Sequence, residues 1–143
     1  MAILVKRAES PQELEGVRSL RLRVFVEEQG VPREMELDAL DATALHAVAV
    51  QDGAIVGTGR LILDAPAHGV IGRMAVSLPL RRQGIGTDVL AFLEDCAHSL
   101  GIQRITLHAQ SYVKEFYSCR GYQEEGEPFL EAGIQHIQMS KAL

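Results

Sequence analysis

Cysteine is scarce in this chain: two in 143 residues, Cys96 and Cys119, with no Cys-x-x-Cys spacing and no Cys/His cluster around them. That argues against a zinc ligand set or a disulfide framework and leaves the expectation of two buried thiols. Proline is sparse too, at five, and there is no repeat, linker or low-complexity tract; 47% of residues are hydrophobic and 23% charged. A disordered or fibrous chain is thereby excluded, and one globular domain over residues 1–143 is expected. No apolar run approaches the roughly 18 to 20 residues of a membrane helix. The opening Met1-Ala2-Ile3-Leu4-Val5-Lys6 is too short for a signal segment, so no membrane partner is expected and the expected address is cytoplasmic. Positive charge is not in excess either: 14 Lys+Arg against 19 Asp+Glu leave a net charge of -5. Nucleic acid needs a basic face, so a neutral or cationic partner fits better.

What is present reads as alternating elements. Ile3-Leu4-Val5 is a short strand, and Ser10-Pro11-Gln12-Glu13 opens a helix with an N-cap, a proline at the first turn and a capping-box glutamate. Leu14, Val17, Leu20, Val24 and Phe25 carry that helix to about Glu28, with Arg21 and Arg23 interrupting its apolar stripe. Gln29 to Thr43 has no sustained period and reads as a functional loop with a short helical turn. Leu45–Gln51 and Ala54–Leu63 flank Asp52-Gly53, which predicts an antiparallel hairpin. A strand over Val70–Val76, a helix from about Gly84 to Ser99 with Gly101 at its end, and a strand over Arg104–Ala109 make a parallel strand-helix-strand unit. Tyr112–Cys119 reads as a short helix, followed by an extended segment from Gly121-Tyr122 and a last strand over Ile134–Lys141.

The most informative stretch is Arg73 through Thr87, where a strand passes into a helix through Arg81-Arg82-Gln83-Gly84-Ile85-Gly86. The first amides of a helix have no intrahelical partner and sit at its positive dipole end, while Gly84 and Gly86 let the backbone approach a phosphate. Arg81 and Arg82 add cationic donors. A Walker A loop is excluded because no Gly-Lys-Ser/Thr occurs, and a dinucleotide fingerprint fails where Val89 stands for its third glycine.

Arg81-x-x-Gly84-x-Gly86 after Met74-Ala75-Val76, with Phe116-Tyr117-x-x-x-Gly121-Tyr122 some thirty residues on, resembles the GNAT superfamily of acyl-CoA-dependent N-acyltransferases. Glu27 to Pro32, Asp38, Asp41 and His46, and Gly133 to Ile137 resemble its bacterial ElaA/YjcF-like branch. The resemblance implies an α/β (α+β) fold: a mixed, mostly antiparallel sheet with a splayed parallel pair around the strand-helix-strand unit, and helices on both faces. It implies acetyl-CoA or another acyl-CoA as donor and no metal. Amides of Arg82, Gln83, Gly84, Ile85, Gly86 and Thr87 would hold the diphosphate, the backbone of Met74, Ala75 and Val76 would pair with the pantetheine arm, and the Val76 amide would face the tetrahedral intermediate. Gln110 stands where the family often has an asparagine. Tyr117 matches the tyrosine that protonates the departing thiolate; Tyr112 and Tyr122 are read as packing residues.

The family's frequent strand glutamate is missing, with Val70 aligned to it. Candidate bases are therefore Glu28, Asp38, Asp41, His46, His108 and His136, of which Glu28 and His136 are placed with Tyr117 in the catalytic set. Arg60 and Arg73, in apolar strands, need carboxylate partners or an exposed rim, with Glu28 or Asp38 proposed for Arg73. Carboxylates at 27, 28, 34, 36, 38 and 41 point to a cationic small-molecule or peptide amine as acceptor. A non-catalytic acyl-CoA-binding module is the rival reading, an unrelated nucleotide-binding domain a third, and the sequence leaves homodimer formation open.

Overall fold

The computed structural model describes residues 2–143. Among these residues seven strands form one sheet in the order β1-β2-β3-β4-β5-β7-β6: β1 Leu4–Arg7, β2 Leu45–Gln51, β3 Ala54–Ala65, β4 His68–Val76, β5 Arg104–Gln110, β6 Gln123–Glu131 and β7 Ile134–Ala142. Every neighbouring pair is antiparallel except β4 and β5. That parallel pair is joined by α3, Ile85–Ser99, as a crossover demands.

The Ser10 hydroxyl and the Glu13 side chain form the predicted capping box of α1, Pro11–Arg21. The helix does not continue regularly to Glu28. Leu22–Glu28 is wound as a π-helical segment, the kind of wide turn often found beside functional sites. The loop that follows holds a single-turn α2, Arg33–Glu36, and a 3-10 turn, Ala39–Ala42. Both residues of the Asp52-Gly53 turn have positive φ, 51° and 78°, as a type I′ hairpin requires. β4 begins two residues earlier than its sequence pattern indicates, at His68, and α4 is shorter, Lys114–Ser118, preceded by a 3-10 turn.

Helices cover the two faces unequally. Leu93, Val89, Leu90 and Ile85 of α3 pack on one face with Ala47, Ala49, Ile71, Ile105, Leu107, Ile137 and Met139. On the other face, Val17 meets Val48, and Leu20 and Val24 meet Ala75. This second layer lies over β2, β3 and β4, and at its end Gln29 reaches Gln110 of β5. Among the described residues no helix of that layer packs substantially on Thr106, His108 and Gln110 on the same side of β5, where Thr106 is buried beside His68 and His108 is exposed. Among the described residues no helix is long and apolar enough to cross a membrane.

Candidate active site

β4 and β5 are paired only at their start, from His68/Arg104 to Val70/Thr106. Beyond that they diverge, while β5 remains paired with β7 along its whole length. The cause lies in β4. Arg73 adopts φ 54° and the register with β3 slips between Thr58 and Arg60, so Arg73 and Met74 together oppose Gly59. Such a bulge bends its strand and reverses which side later residues face. Ile71 before it and Met74 after it both pack toward α3.

Ladder alternation then decides which backbone groups are free. The Ser77 amide donates to the Val56 carbonyl at 2.8 Å, so Val76, one residue back, points its N–H and C=O away from β3 and into the gap. Met74 points the same way, and Ala75 between them faces β3, with its methyl under α1. The Val76 carbonyl accepts from Arg81 Nε at 2.9 Å, which leaves its N–H aimed at the opening.

At the end of β4, Arg82 has φ 65° and Gly84 φ 88°, a curl that delivers the chain into α3 with Gly84 as N-cap and no side chain capping it. Arg82, Gln83 and Gly84 are exposed. The first helical bond is Asp88 N–H to the Gly84 carbonyl, so the amides of Ile85, Gly86 and Thr87 have no intrahelical acceptor. A Cβ on Gly84 would meet nothing within 4 Å; one on Gly86 would stand 3.4 Å from Phe116. Arg120 closes the side of this junction, donating to the Thr87 hydroxyl and the Phe116 carbonyl with its guanidinium 4.0 Å above the Phe116 ring.

Tyr117 lies inside the molecule, 8% exposed, with edge-on contacts to Phe116 and Tyr122. Burial raises its pKa to about 12, so the hydroxyl carries its proton far above neutrality. Tyr122 packs as expected and donates to Glu94 at 2.8 Å. Tyr112 does not pack: it is 71% exposed and accepts from Gln29, whose Oε1 in turn accepts from Gln110. The expectation of two buried thiols is also corrected, since Cys96 is half-buried and Cys119 exposed. Both stand on short or surface-facing helical turns where no apolar layer covers them fully.

The acidic segment is only partly a solvated face. Glu36 binds Arg21 at 2.6 Å and Arg73 at 3.1 Å; Asp41 binds Arg21 at 2.7 Å and Arg60 at 2.8 Å; Asp38 binds Arg60 at 2.8 Å and Arg73 at 3.2 Å. Three arginines and three carboxylates thus neutralise one another and pin the loop to β3 and β4. The predicted Arg73 partner Asp38 is found, while Glu28 instead holds Arg81 at 2.8 Å. Arg60 holds the Asp38 carboxyl below its ordinary pKa, and burial pushes Glu36 up. Arg21 was signalled in the sequence only as a charge inside an apolar stripe. His46 is buried, with Nε2 3.0 Å from the Asp41 carbonyl.

On the uncovered side of β5 to β7, His136 lies beside Gln110 in register and beneath Phe129, whose ring stacks on it at 6.0 Å. Its Nδ1 donates to the Ile134 carbonyl at 2.6 Å and its Nε2 is 3.7 Å from Glu131. Glu131 also binds His108 Nδ1 at 3.0 Å. The turn Ala132-Gly133, both at positive φ, folds β6 back to bring these groups together. Among the described residues no group of three His, Cys, Asp or Glu side chains is arranged to hold a metal.

With this geometry in hand, resemblance to known proteins becomes specific. The sequence profile of the Acetyltransferase (GNAT) domain matches residues 5–143. The uncharacterized N-acetyltransferase YjcF of Bacillus subtilis is 35% identical over 135 residues, covering 94% of this chain and 96% of YjcF. Among solved structures, Escherichia coli ElaA superposes with a TM-score of 0.87 at 28% identity, covering 98% of this chain and 99% of ElaA. An acyl-CoA N-acyltransferase from Pseudomonas aeruginosa does so with a TM-score of 0.86 at 31% identity, covering 99% of each chain.

Proposed function

The chain belongs to the GNAT acetyltransferase family, and we propose that it transfers acetyl from acetyl-CoA to a primary amine by direct attack of the amine on the thioester. The observation that carries this reading is the free backbone of β4 opposite a diverging β5. A peptide-like arm is the ligand that such a half-ladder suits, because it satisfies otherwise unpaired N–H and C=O groups.

In this reading each residue has a physical task. The amides of Gly84, Ile85, Gly86 and Thr87 face the diphosphate at the positive end of α3, with Arg82 and Gln83 flanking it. Met74 and Val76 pair with the pantetheine arm, and the Val76 N–H takes charge developing on the carbonyl oxygen. Arg81 is a brace: it ties the end of β4 to Glu28, so Glu28 links the diphosphate side to the acceptor side. Gln110, through Gln29, closes the top of the opening. Tyr117, kept neutral by burial, donates its proton to the departing thiolate. Positioning and fixed dipoles supply most of the rate. The acceptor's charge is not dictated by the loop, because Glu36, Asp38 and Asp41 are occupied by arginines; Glu27 and Glu34 remain exposed.

The test is release of free CoA thiol from acetyl-CoA across a set of primary amines. Tyr117→Phe is expected to lower turnover about 10²-fold while leaving acetyl-CoA affinity unchanged; an unaltered rate removes the acid role. Thermal stabilisation by acetyl-CoA with no thiol release from any amine points instead to a non-catalytic acyl-CoA-binding module.

A further inference from the structure

We propose that His108, held by Glu131, is the base that takes the proton from the incoming amine; this rests on the acyl-transfer reading above and assigns the one role it leaves open. The Glu131 carboxylate only accepts, so the 3.0 Å contact requires the proton of the neutral ring on His108 Nδ1. Nε2 therefore keeps its lone pair, and the side chain is 44% exposed. A carboxylate on one ring nitrogen and a free lone pair on the other is the arrangement that orients an imidazole as a base.

Position supports the same role. His108 is two residues past Thr106, the last β5 residue paired with β4, and so stands on the rim of the splay. Leu107 and Ala109 face α3, which puts His108 on the opposite side, shared with Gln110 and His136. An arm entering from the α3 end and passing through the gap presents its thioester to this uncovered side. The Phe129 ring, edge-on to His108 at 4.9 Å, supplies an apolar wall for the acceptor.

The other candidates are committed elsewhere. His136 is 6% exposed, bonded through Nδ1 to the Ile134 carbonyl and covered by Phe129. Glu28 is bound to Arg81, and Asp38 and Asp41 to arginines. The titratable groups on the His108 face are Glu131 from β6, His136 from β7 across that carboxylate, and, beyond uncharged Gln138, Glu125 from β6 paired with Arg104 of β5.

In the step, the amine nitrogen forms the C–N bond and sheds a proton to His108 Nε2. The C–S bond breaks, and Tyr117 protonates the thiolate sulfur. Imidazolium and phenolate then return to neutrality by proton exchange with solvent. Glu131 is the positioning residue.

The experiment measures kcat/KM from pH 5 to 9 with acetyl-CoA and the fastest acceptor among benzylamine, spermidine, lysine ethyl ester and glucosamine. It compares the wild type with His108→Gln, Glu131→Gln and His136→Asn. His108→Gln is expected to fold, to retain stabilisation by acetyl-CoA, to lose about 10²-fold in kcat/KM and to lose the acid limb of the profile. Glu131→Gln should lower kcat about 10-fold at unchanged KM for acetyl-CoA. If His108→Gln keeps the acid limb and a rate within about twofold of wild type, or His136→Asn alone abolishes the limb, the assignment is overturned while acyl transfer stands. If the wild type acetylates none of these amines yet is stabilised by acetyl-CoA, both fall together.

Discussion

The two halves of the sheet are built differently. Strands β2 to β4 carry helix on both faces, α3 on one and α1 with its π-helical extension on the other; their residues toward α3 are apolar or glycine, while the face toward α1 also buries His46, Thr58 and Arg60. Strands β5, β7 and β6 bury the face toward α3, through Ile105, Leu107, Ile137 and Met139, while their other face is polar, with His108 exposed, Gln110 and Gln138 half-buried, and Thr106 and His136 buried. The candidate chemistry lies where the covering layer ends. A sandwiched strand must fill its surroundings with close-packed side chains, whereas a half-covered one is free to present polar groups to a ligand. The seam between the halves is β4 and β5, the pair the Arg73 bulge forces apart.

If the covered half carries most of the stability, its variants should cost most. Glu36→Ala strips one of two carboxylate partners from Arg21, which is 2% exposed and keeps Asp41, and should cost about 3 kcal/mol in urea unfolding. A loss under about 1 kcal/mol would mean that Asp41, with water, satisfies Arg21 without Glu36. Gly59→Ala comes next. Its Cβ would stand 2.5 Å from Met74 Sδ and 2.9 Å from Leu93 Cδ1, a cost of about 1–3 kcal/mol, lowered to the extent that Met74 swings away. Acid should loosen the same half more gradually. Arg60 holds Asp38 below the ordinary carboxylate pKa; burial opposes the shift at Asp41, but Arg21 and Arg60 still bring it down. A depressed carboxylate contributes stability that is complete above its unfolded pKa and is lost as pH falls through the folded one. Glu36, pushed up by burial, works in the opposite direction, so melting temperature should hold above about pH 4 and drop below it by the amount Asp38 and Asp41 together outweigh it; a flat profile down to pH 2 would sever the ion pairs from stability. The smallest effect belongs to the open half, where Gln123→Ala on exposed β6 should stay within about 0.5 kcal/mol. A loss equal to that of Gly59→Ala would erase the contrast.

Much of this molecule is legible in the sequence alone. The capping box at Ser10 and Glu13, the Asp52-Gly53 turn and the stripe of Ile85, Val89 and Leu93 are local signals, set by backbone dihedrals and helical spacing within a few residues. So is the glycine-arginine junction, because uncapped helix amides follow from Gly84 at an N-cap. Other features had no local signature. The π-helical winding of Leu22–Glu28 and the positive φ of Arg73 are imposed by neighbours, and neither residue type announces them. The six carboxylates between residues 27 and 41 read alike in sequence, and nothing local told Glu36, sealed against Arg21, from exposed Glu34. The open polar face of β5 to β7 escaped for a related reason: alternation along a strand shows that one side is polar, but not whether a helix lies over it.

By itself the sequence determined the elements, their order and the anion-ready start of α3, because each depends on contacts within a turn or two of chain. Tertiary structure alone decided that β4 and β5 part company, that Arg81 faces Glu28, and that His108, Glu131 and His136 meet. His108 and Glu131 are 23 positions apart and Arg81 and Glu28 are 53 apart, and such distances are closed only when the whole sheet assembles.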